Sequence, residues 1–471
     1  MKIELLGGCT KEELESRIKR VASAGKLSRF KGNVFDVLNS CDDYENNLKL
    51  IKRIIKMGHK SIIEHDYLVF AIVDVSPIVE QTIIGNRLTS FTIKSRREVD
   101  FRNVGYYIPE FRNKNLELHE RNSQLQEKYK KHMKYLFNEY ANLVDNGINI
   151  EDARFILPYS YHSNIIMGLD ARELEKLVVS LLHGELSKIA ELKELGILLY
   201  EIIEKHVPYL IDSINEDETN SDNPFEYLEK LVERPEIKIC DKAKLISYTE
   251  NPDNLVLESA IMYHYQCTSE CAKDILNKMQ EKDSNALEKM MDIILNKREN
   301  RELEHINFRF QIPISLSILT HLTRHRMHSL LVPEFVKMWD LNNYIIPNTI
   351  KVNYEDKYNE IFKENIRVYN EFLNEDIAEE DLIYFYLGGN MCNVITNMSG
   401  RTLQWISKLR CCIKAQWQIR YIANDIQKQV KEVAPLLGKG LGATCMTDRF
   451  CGEGRECCGL IDSLIEADNK K

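Results

Sequence analysis

The stretch Glu304–Ser329 reads EHINFRFQIPISLSILTHLTRHRMHS. Apolar residues alternate through INFRFQIPI, as on a half-buried strand. Ser315 then stands where a helix N-cap belongs, and an apolar helix runs on to Arg324-His325-Arg326 and Ser329. The same order of signals occurs earlier, in EHDYLVFAIVDVSPIVEQTIIGNRLTS from Glu64 to Ser90. There Ser76-Pro77 pairs an N-cap residue with proline at the first helical position. Ser76 to Arg87 and Ser315 to Arg326 are both eleven residues, whereas His65 to Gly85 is 20 and His305 to Arg324 is 19. The extra residue of the first copy therefore belongs to its strand.

Working outward, the two copies keep matching landmarks. ARFILPYSYH from Ala153, then Ala171-Arg172 and a long amphipathic helix ending at Val207-Pro208, find counterparts in EEDLIYFY, Gly400-Arg401 and a helix ending at Val433-Ala434-Pro435. Self-similarity in this order is the mark of an internal duplication. Between the copies lies SINEDETNSDNP, acidic and nearly free of apolar residues, which reads as a linker. The expected organisation is a first repeat over 1–212, a linker over 213–239 and a second repeat over 240–471. Its expected fold class is α+β: two related domains, each a small mostly antiparallel sheet with long flanking helices, arranged as a pseudo-dimer.

The 471 residues are 44% apolar and 29% charged, a balance suited to folded domains with sizeable cores. Lys plus Arg is 63 against Asp plus Glu 72, a net charge of -9. No basic surplus or block invites nucleic acid. No apolar run approaches the ~20 residues that cross a bilayer, and the start is too acidic for a secretory signal. A cytoplasmic location with no nucleic-acid or membrane partner is expected, and the 12 cysteines read as thiols.

The quoted landmarks resemble the flavin-dependent thymidylate synthases. That family's pattern is Arg-His-Arg, two residues and Ser, then an Asn-Glu-x-Ser-x-Arg-Tyr tail, some twenty residues after a strand-opening Glu-His. Arg324-His325-Arg326-Met327-His328-Ser329 matches the first part. LRCCIKAQWQIRYIAN from Leu409 is similar to the family's Leu-Arg, four residues, Ala-Gln-Trp-Glu-Ile helix. MKIELLGGCTKEELE and KLISYTENPDNLVLESA are similar to its N-terminal strand and helix, so the resemblance covers nearly all of both repeats.

The resemblance implies a methyltransferase that uses FAD to carry a methylene group from methylenetetrahydrofolate to carbon 5 of deoxyuridylate, with NADPH as reductant, giving thymidylate. It places His305, Arg324, His325, Arg326 and Arg401 at the cofactor. It also places Ser95, Arg97, Arg154 and Arg410 at the nucleotide, with Arg410 activating the uracil ring. Arginine suits such a site because its planar fork binds phosphate and carbonyl oxygens in pairs.

Neither repeat keeps the whole pattern. The second has LLVPEFVK in place of the tail and no arginine in EEDLIYFY; the first has Gly85-Asn86 for Arg-His, keeping Arg87 and Ser90, and Leu181 or His183 where Arg410 is expected. The losses are complementary, and family sites draw on different subunits. The resemblance therefore implies one composite site per chain, and a homodimer that mimics a four-domain assembly.

Three family residues are replaced, at Ile93, Glu98 and Lys414. They leave open a diverged flavoenzyme acting on another pyrimidine nucleotide, or a non-catalytic nucleotide- or flavin-binding protein. Cys445, Cys451 and Cys457 are spaced six apart with Cys458 adjacent. This is not a paired C-x-x-C, so a reduced tail without metal is the expectation.

Overall fold

The computed structural model describes residues 1–215, 224–336, 340–463 and 466. Of the expected linker, residues 216–223 lie outside the described residues, as does Lys337 of LLVPEFVK. Eight strands are described: β1 (Lys2–Leu5), β2 (Tyr67–Val75), β3 (Ser90–Ile93), β4 (Ser163–Asp170), β5 (Lys244–Tyr248), β6 (Asn307–Ser315), β7 (Ser329–Leu331) and β8 (Met391–Ser399). They form two four-stranded sheets with the same strand order, β1-β2-β4-β3 and β5-β6-β8-β7, and every pairing is antiparallel. Two mixed helix-and-sheet repeats with one topology written twice confirm the α+β reading and the duplication.

The one-residue offset is Asp74. β6 pairs with β8 without interruption from Asn307 to Ser315. In β2 the register against β4 shifts between Val73 and Val75, and Asp74 sits between them at φ 58. An inserted residue in a left-handed conformation is how a strand absorbs an extra position without turning its core face outward. Phe70, Ile72 and Val75 accordingly all stay buried.

Ser76 caps the helix Pro77–Gly85, its hydroxyl accepting from the Ile78 N–H at 3.2 Å. Ser315 occupies the equivalent place before the helix Leu316–Thr323 but makes no side-chain cap. Its hydroxyl donates to Gln418 Oε1 at 2.5 Å instead. The long amphipathic helix expected after Ala171 is two helices, Ala171–His183 and Ala190–His206. Gly184 makes the break, where a Cβ would stand 2.9 Å from the Ser180 carbonyl oxygen. The second repeat is broken likewise, into Gly400–Arg410 and Trp417–Val433.

The chain divides into two compact units: Met1–Glu236 with Phe335–Asn342 and Ile346–Asn390, and Ile237–Glu334 with Asn343–Ile345 and Met391–Lys471. The first unit holds β1–β4 and, from the second repeat, the helix Glu355–Leu373. That helix packs against its counterpart Asn122–Asp145. Tyr129, Tyr140, Phe111, Phe155, Tyr358 and Phe372 are buried in this unit. Full burial of a phenylalanine such as Phe111, Phe155 or Phe372 stabilises by about 1.5–3 kcal/mol.

Two matched segments meet there with local two-fold character. Pro158 bridges Leu387 antiparallel, the Tyr159 N–H donates to the Tyr386 carbonyl at 2.6 Å, and the Gly388 N–H donates to the Leu157 carbonyl at 3.0 Å. Beside them Arg112 forks onto buried Asp381, with Nη2 to Oδ1 at 2.6 Å and Nε to Oδ2 at 3.0 Å. The second unit carries β5–β8, flanked by the helices Pro252–Tyr265, Ser269–Lys282, Ala286–Asn296, Gly400–Arg410 and Trp417–Val433. No helix among the described residues is long and apolar enough to cross a membrane.

Candidate functional site

The first unit gathers Ser95, Arg96, Arg97 and Arg154. After β3 the chain turns at Ser95, whose hydroxyl accepts from the Arg97 N–H at 3.2 Å and whose carbonyl accepts from the Val99 N–H at 3.1 Å. Arg97 is ion-paired with Glu151. Arg96 turns inward, its Nη1 donating to Glu80 Oε2 at 2.5 Å and to the Tyr161 hydroxyl. Arg154 opens the short turn Arg154–Ile156, is 3% exposed, and donates through Nε to the Glu151 carbonyl at 3.0 Å. Its Nη2 is buried with no hydrogen-bond partner. Burial and the neighbouring Arg96 cation pull Arg154 down to about 10, against the opposing pull of Glu151. A buried guanidinium with an unused donor and a like charge beside it is a place where an anion is favoured.

The second unit gathers Arg324, His325, Arg326 and Arg410. Arg324 caps the helix Leu316–Thr323, and the turn that follows leads into β7. Arg324 and Arg326 are exposed, whereas His325 between them is buried. Arg410 is the last residue of Gly400–Arg410, and its Nε donates to His325 Nε2 at 2.9 Å. Burial, then the charges of Arg410, His328 and Arg324, push His325 down to about 3. The ring is therefore neutral around pH 7. Because guanidinium only donates, the ring proton sits on Nδ1. His328 is also buried, with Nδ1 2.6 Å from Thr396 Oγ1.

His305 lies exposed just before β6. Arg401 is held by Glu304 at 2.6 Å and Glu299 at 3.1 Å. Its counterpart Arg172 is paired with Glu64 in the same way, so this ion pair occurs in both repeats.

The structure also fixes which positions correspond across the duplication. The bridge of Pro158 to Leu387 makes Ile383, fully buried and apolar, the counterpart of Arg154. Arg410 and His183 each end the first of the two broken helices. Each also lies eight residues before the side chain that receives the N-cap serine, Gln418 or Glu191.

Sequence reasoning missed Arg96, Glu80 and Glu151, and nothing in KSRRE distinguishes the buried arginine from its half-buried neighbour Arg97. It also missed Glu191, whose signal was available: Glu191 to Pro208 and Gln418 to Pro435 are both seventeen residues. Glu191 is wholly buried and accepts from the Ser76 N–H at 2.8 Å, the Ser76 hydroxyl at 2.5 Å and the Tyr384 hydroxyl at 3.1 Å. Burial outweighs these hydrogen bonds and lifts it to about 7.

A sheet topology written twice, with the Arg324-His325-Arg326 turn in one repeat and the Ser95–Arg97 turn in the other, defines the class, and the family comparison agrees. The family described as "Thymidylate synthase complementing protein" matches twice, over residues 12–209 and 244–436, and the chain belongs to it. A flavin-dependent thymidylate synthase of Clostridium tetani is 30% identical over 240 residues, spanning 46% of this chain and 93% of its own length. One of Thermococcus onnurineus is 36% identical over 227 residues, spanning 45% of this chain and 89% of its own. Each such relative thus corresponds to a single repeat. Among solved structures, the UMP/dUMP methylase PolB of Streptomyces cacaoi bound with 5-Br dUMP is similar at 19% identity and TM-score 0.37, covering 45% of this chain and 94% of that one.

Proposed function

We propose that the chain is an FAD-dependent methyltransferase converting deoxyuridylate to thymidylate, with methylenetetrahydrofolate as the one-carbon donor and NADPH as the reductant. Its single site per chain draws groups from both repeats. The carrying observation is complementary loss: Arg154 is answered by Ile383, and Arg410 by His183. Each repeat therefore holds a cationic set that its copy lacks.

In this reading the orphaned Nη2 of Arg154, with Arg97 and the Ser95 turn, receives the nucleotide phosphate, because that buried donor gains a charge-assisted partner. Exposed Arg324 and Arg326, flanking neutral His325, are the donors suited to the anionic diphosphate of FAD. Flavin, when bound, supplies the redox and one-carbon transfer chemistry. Arg410 is aimed by His325 so that its charge stands where negative charge develops on the pyrimidine ring. His305 and Arg401 are proposed at the edge of the cofactor, and a homodimer is the proposed assembly.

Turnover tests this directly: the purified chain with deoxyuridylate, methylenetetrahydrofolate and NADPH should form thymidylate. Product from another pyrimidine nucleotide in preference would favour the diverged-flavoenzyme reading, which the replacements Ile93, Glu98 and Lys414 support. No turnover with any of these nucleotides would sink both enzymatic readings.

A further inference from the structure

Cys411, Cys412, Cys445, Cys451, Cys457 and Cys458 line one cavity of about 400 Å3 in the second unit, together with Lys414 and Lys431. All are free thiols. The chain reverses through the short turn Gly454–Glu456, where Gly454 takes φ 54. That left-handed step costs glycine little, and it brings Cys457 back to the wall of the cavity that Cys451 also lines, near enough for each thiol to shift the other's titration. Among the described residues no group of three or more His, Cys, Asp or Glu is arranged to hold a metal ion. The geometry is that of a thiol pair with an open approach from the cavity.

We propose that Cys451 and Cys457 form a reactive dithiol that exchanges with small disulfides of the glutathione class and closes to a Cys451–Cys457 disulfide. Cys457 is the attacking group. The Gly459 N–H, the Cys451 thiol and then the Lys414 cation hold it below the usual thiol range, so more of it is thiolate at neutral pH. The Cys457 thiolate attacks one sulfur of the small disulfide, forming a mixed disulfide and expelling one small thiolate, which takes up a proton. Cys451, deprotonated in turn, attacks Cys457 Sγ and expels the second small thiol. Two protein thiols lose two electrons and two protons, and one small disulfide becomes two small thiols. The other touching pair, Cys267 with Cys271, differs: Cys267 is held above the usual thiol range by burial and by Cys271.

The test is to incubate the full chain in mixtures of reduced and oxidised glutathione, alkylate the remaining thiols, and map the peptides by mass. The expected product links Cys451 to Cys457, is reversed by dithiothreitol, and forms several-fold faster than any adduct at exposed Cys9. C451S should stop at the mixed disulfide on Cys457, and C445S should leave the link unchanged. Reaction at Cys457 no faster than at Cys9, a link from Cys457 to Cys445 or Cys458 instead, or stoichiometric zinc or iron shielding these thiols in protein purified without chelators would each overturn the proposal.

Discussion

Arg410 and His325 are joined by a 2.9 Å hydrogen bond from Nε to Nε2, between the end of one helix and the turn after another. Of the pairs described here it ties two otherwise separate parts of the family pattern, the Arg-His-Arg turn and the arginine before Ala-Gln-Trp. The imidazole fixes the guanidinium plane, and the guanidinium fixes the imidazole tautomer.

If Arg410 stabilises charge on the pyrimidine, R410A lowers kcat by roughly 100–1000-fold, the range for removing one such donor, and leaves the melting temperature nearly unchanged. H325Q, whose amide oxygen can still accept from Nε, retains more activity than H325A. Steady-state rates and melts of the three variants check this ordering. Equal activity in R410A and the parent chain would remove Arg410 from the mechanism.

His325 also sets a pH dependence. Its folded value of about 3 lies below the ordinary 6.5, so the unfolded chain binds the extra proton first as pH falls. Stability is therefore lost from about pH 6.5 downward, amounting to about 2 kcal/mol at about pH 5. H325Q removes this term, and its melting temperature should fall less between neutral pH and pH 5 than that of the parent chain. Parallel curves would show that the ring is not held neutral.

Glu191 works in the opposite sense. Its folded value of about 7 exceeds the ordinary 4.5, so its contribution is full below pH 4.5 and is lost as pH rises through about 7. The loss is about 3 kcal/mol at most. E191Q writes the second repeat's Ser315–Gln418 arrangement into the first and removes this term. Relative to the parent, the variant should gain stability between pH 5 and pH 8 in thermal melts. A difference that does not vary with pH would mean Glu191 is ionised throughout.

Arg154 separates binding from folding. R154M keeps the bulk of the stem but removes a buried cation that Arg96 repels, so the unliganded melting temperature should hold or rise. Deoxyuridylate binding should weaken roughly 10–100-fold, the equivalent of about 1.5–3 kcal/mol for one hydrogen bond to a charged group. Calorimetric titration of both proteins checks it. Unchanged nucleotide affinity would make Arg154 a structural residue.

Much of this was legible in the sequence because it is written twice. The Glu-His, Ser-Pro and Arg-x-x-Ser landmarks place β2, β6 and the following helices, and a count of residues requires the extra position that the structure identifies as Asp74. The helix break at Gly184 was not legible, since apolar periodicity runs on through Leu192 and Leu195 while the backbone of Gly184 turns extended, at φ -88 and ψ -176, and ends the helix. Nor was the placement of Glu355–Leu373 in the first unit, because its apolar stripe says that it packs, not on what. In the site, arginines and histidines were found by motif. The carboxylates Glu80 and Glu151, which pair with Arg96 and Arg97, were not, because a lone acid on a helix carries no mark of its partner.

Flavin content tests the composite-site account most directly. The purified chain, reconstituted with excess FAD and freed of unbound cofactor, should carry one flavin per chain, bleached by NADPH. Two flavins per chain would mean that the repeat bearing Gly85-Asn86 still binds cofactor and that the losses are not complementary; none would contradict the flavoenzyme reading altogether.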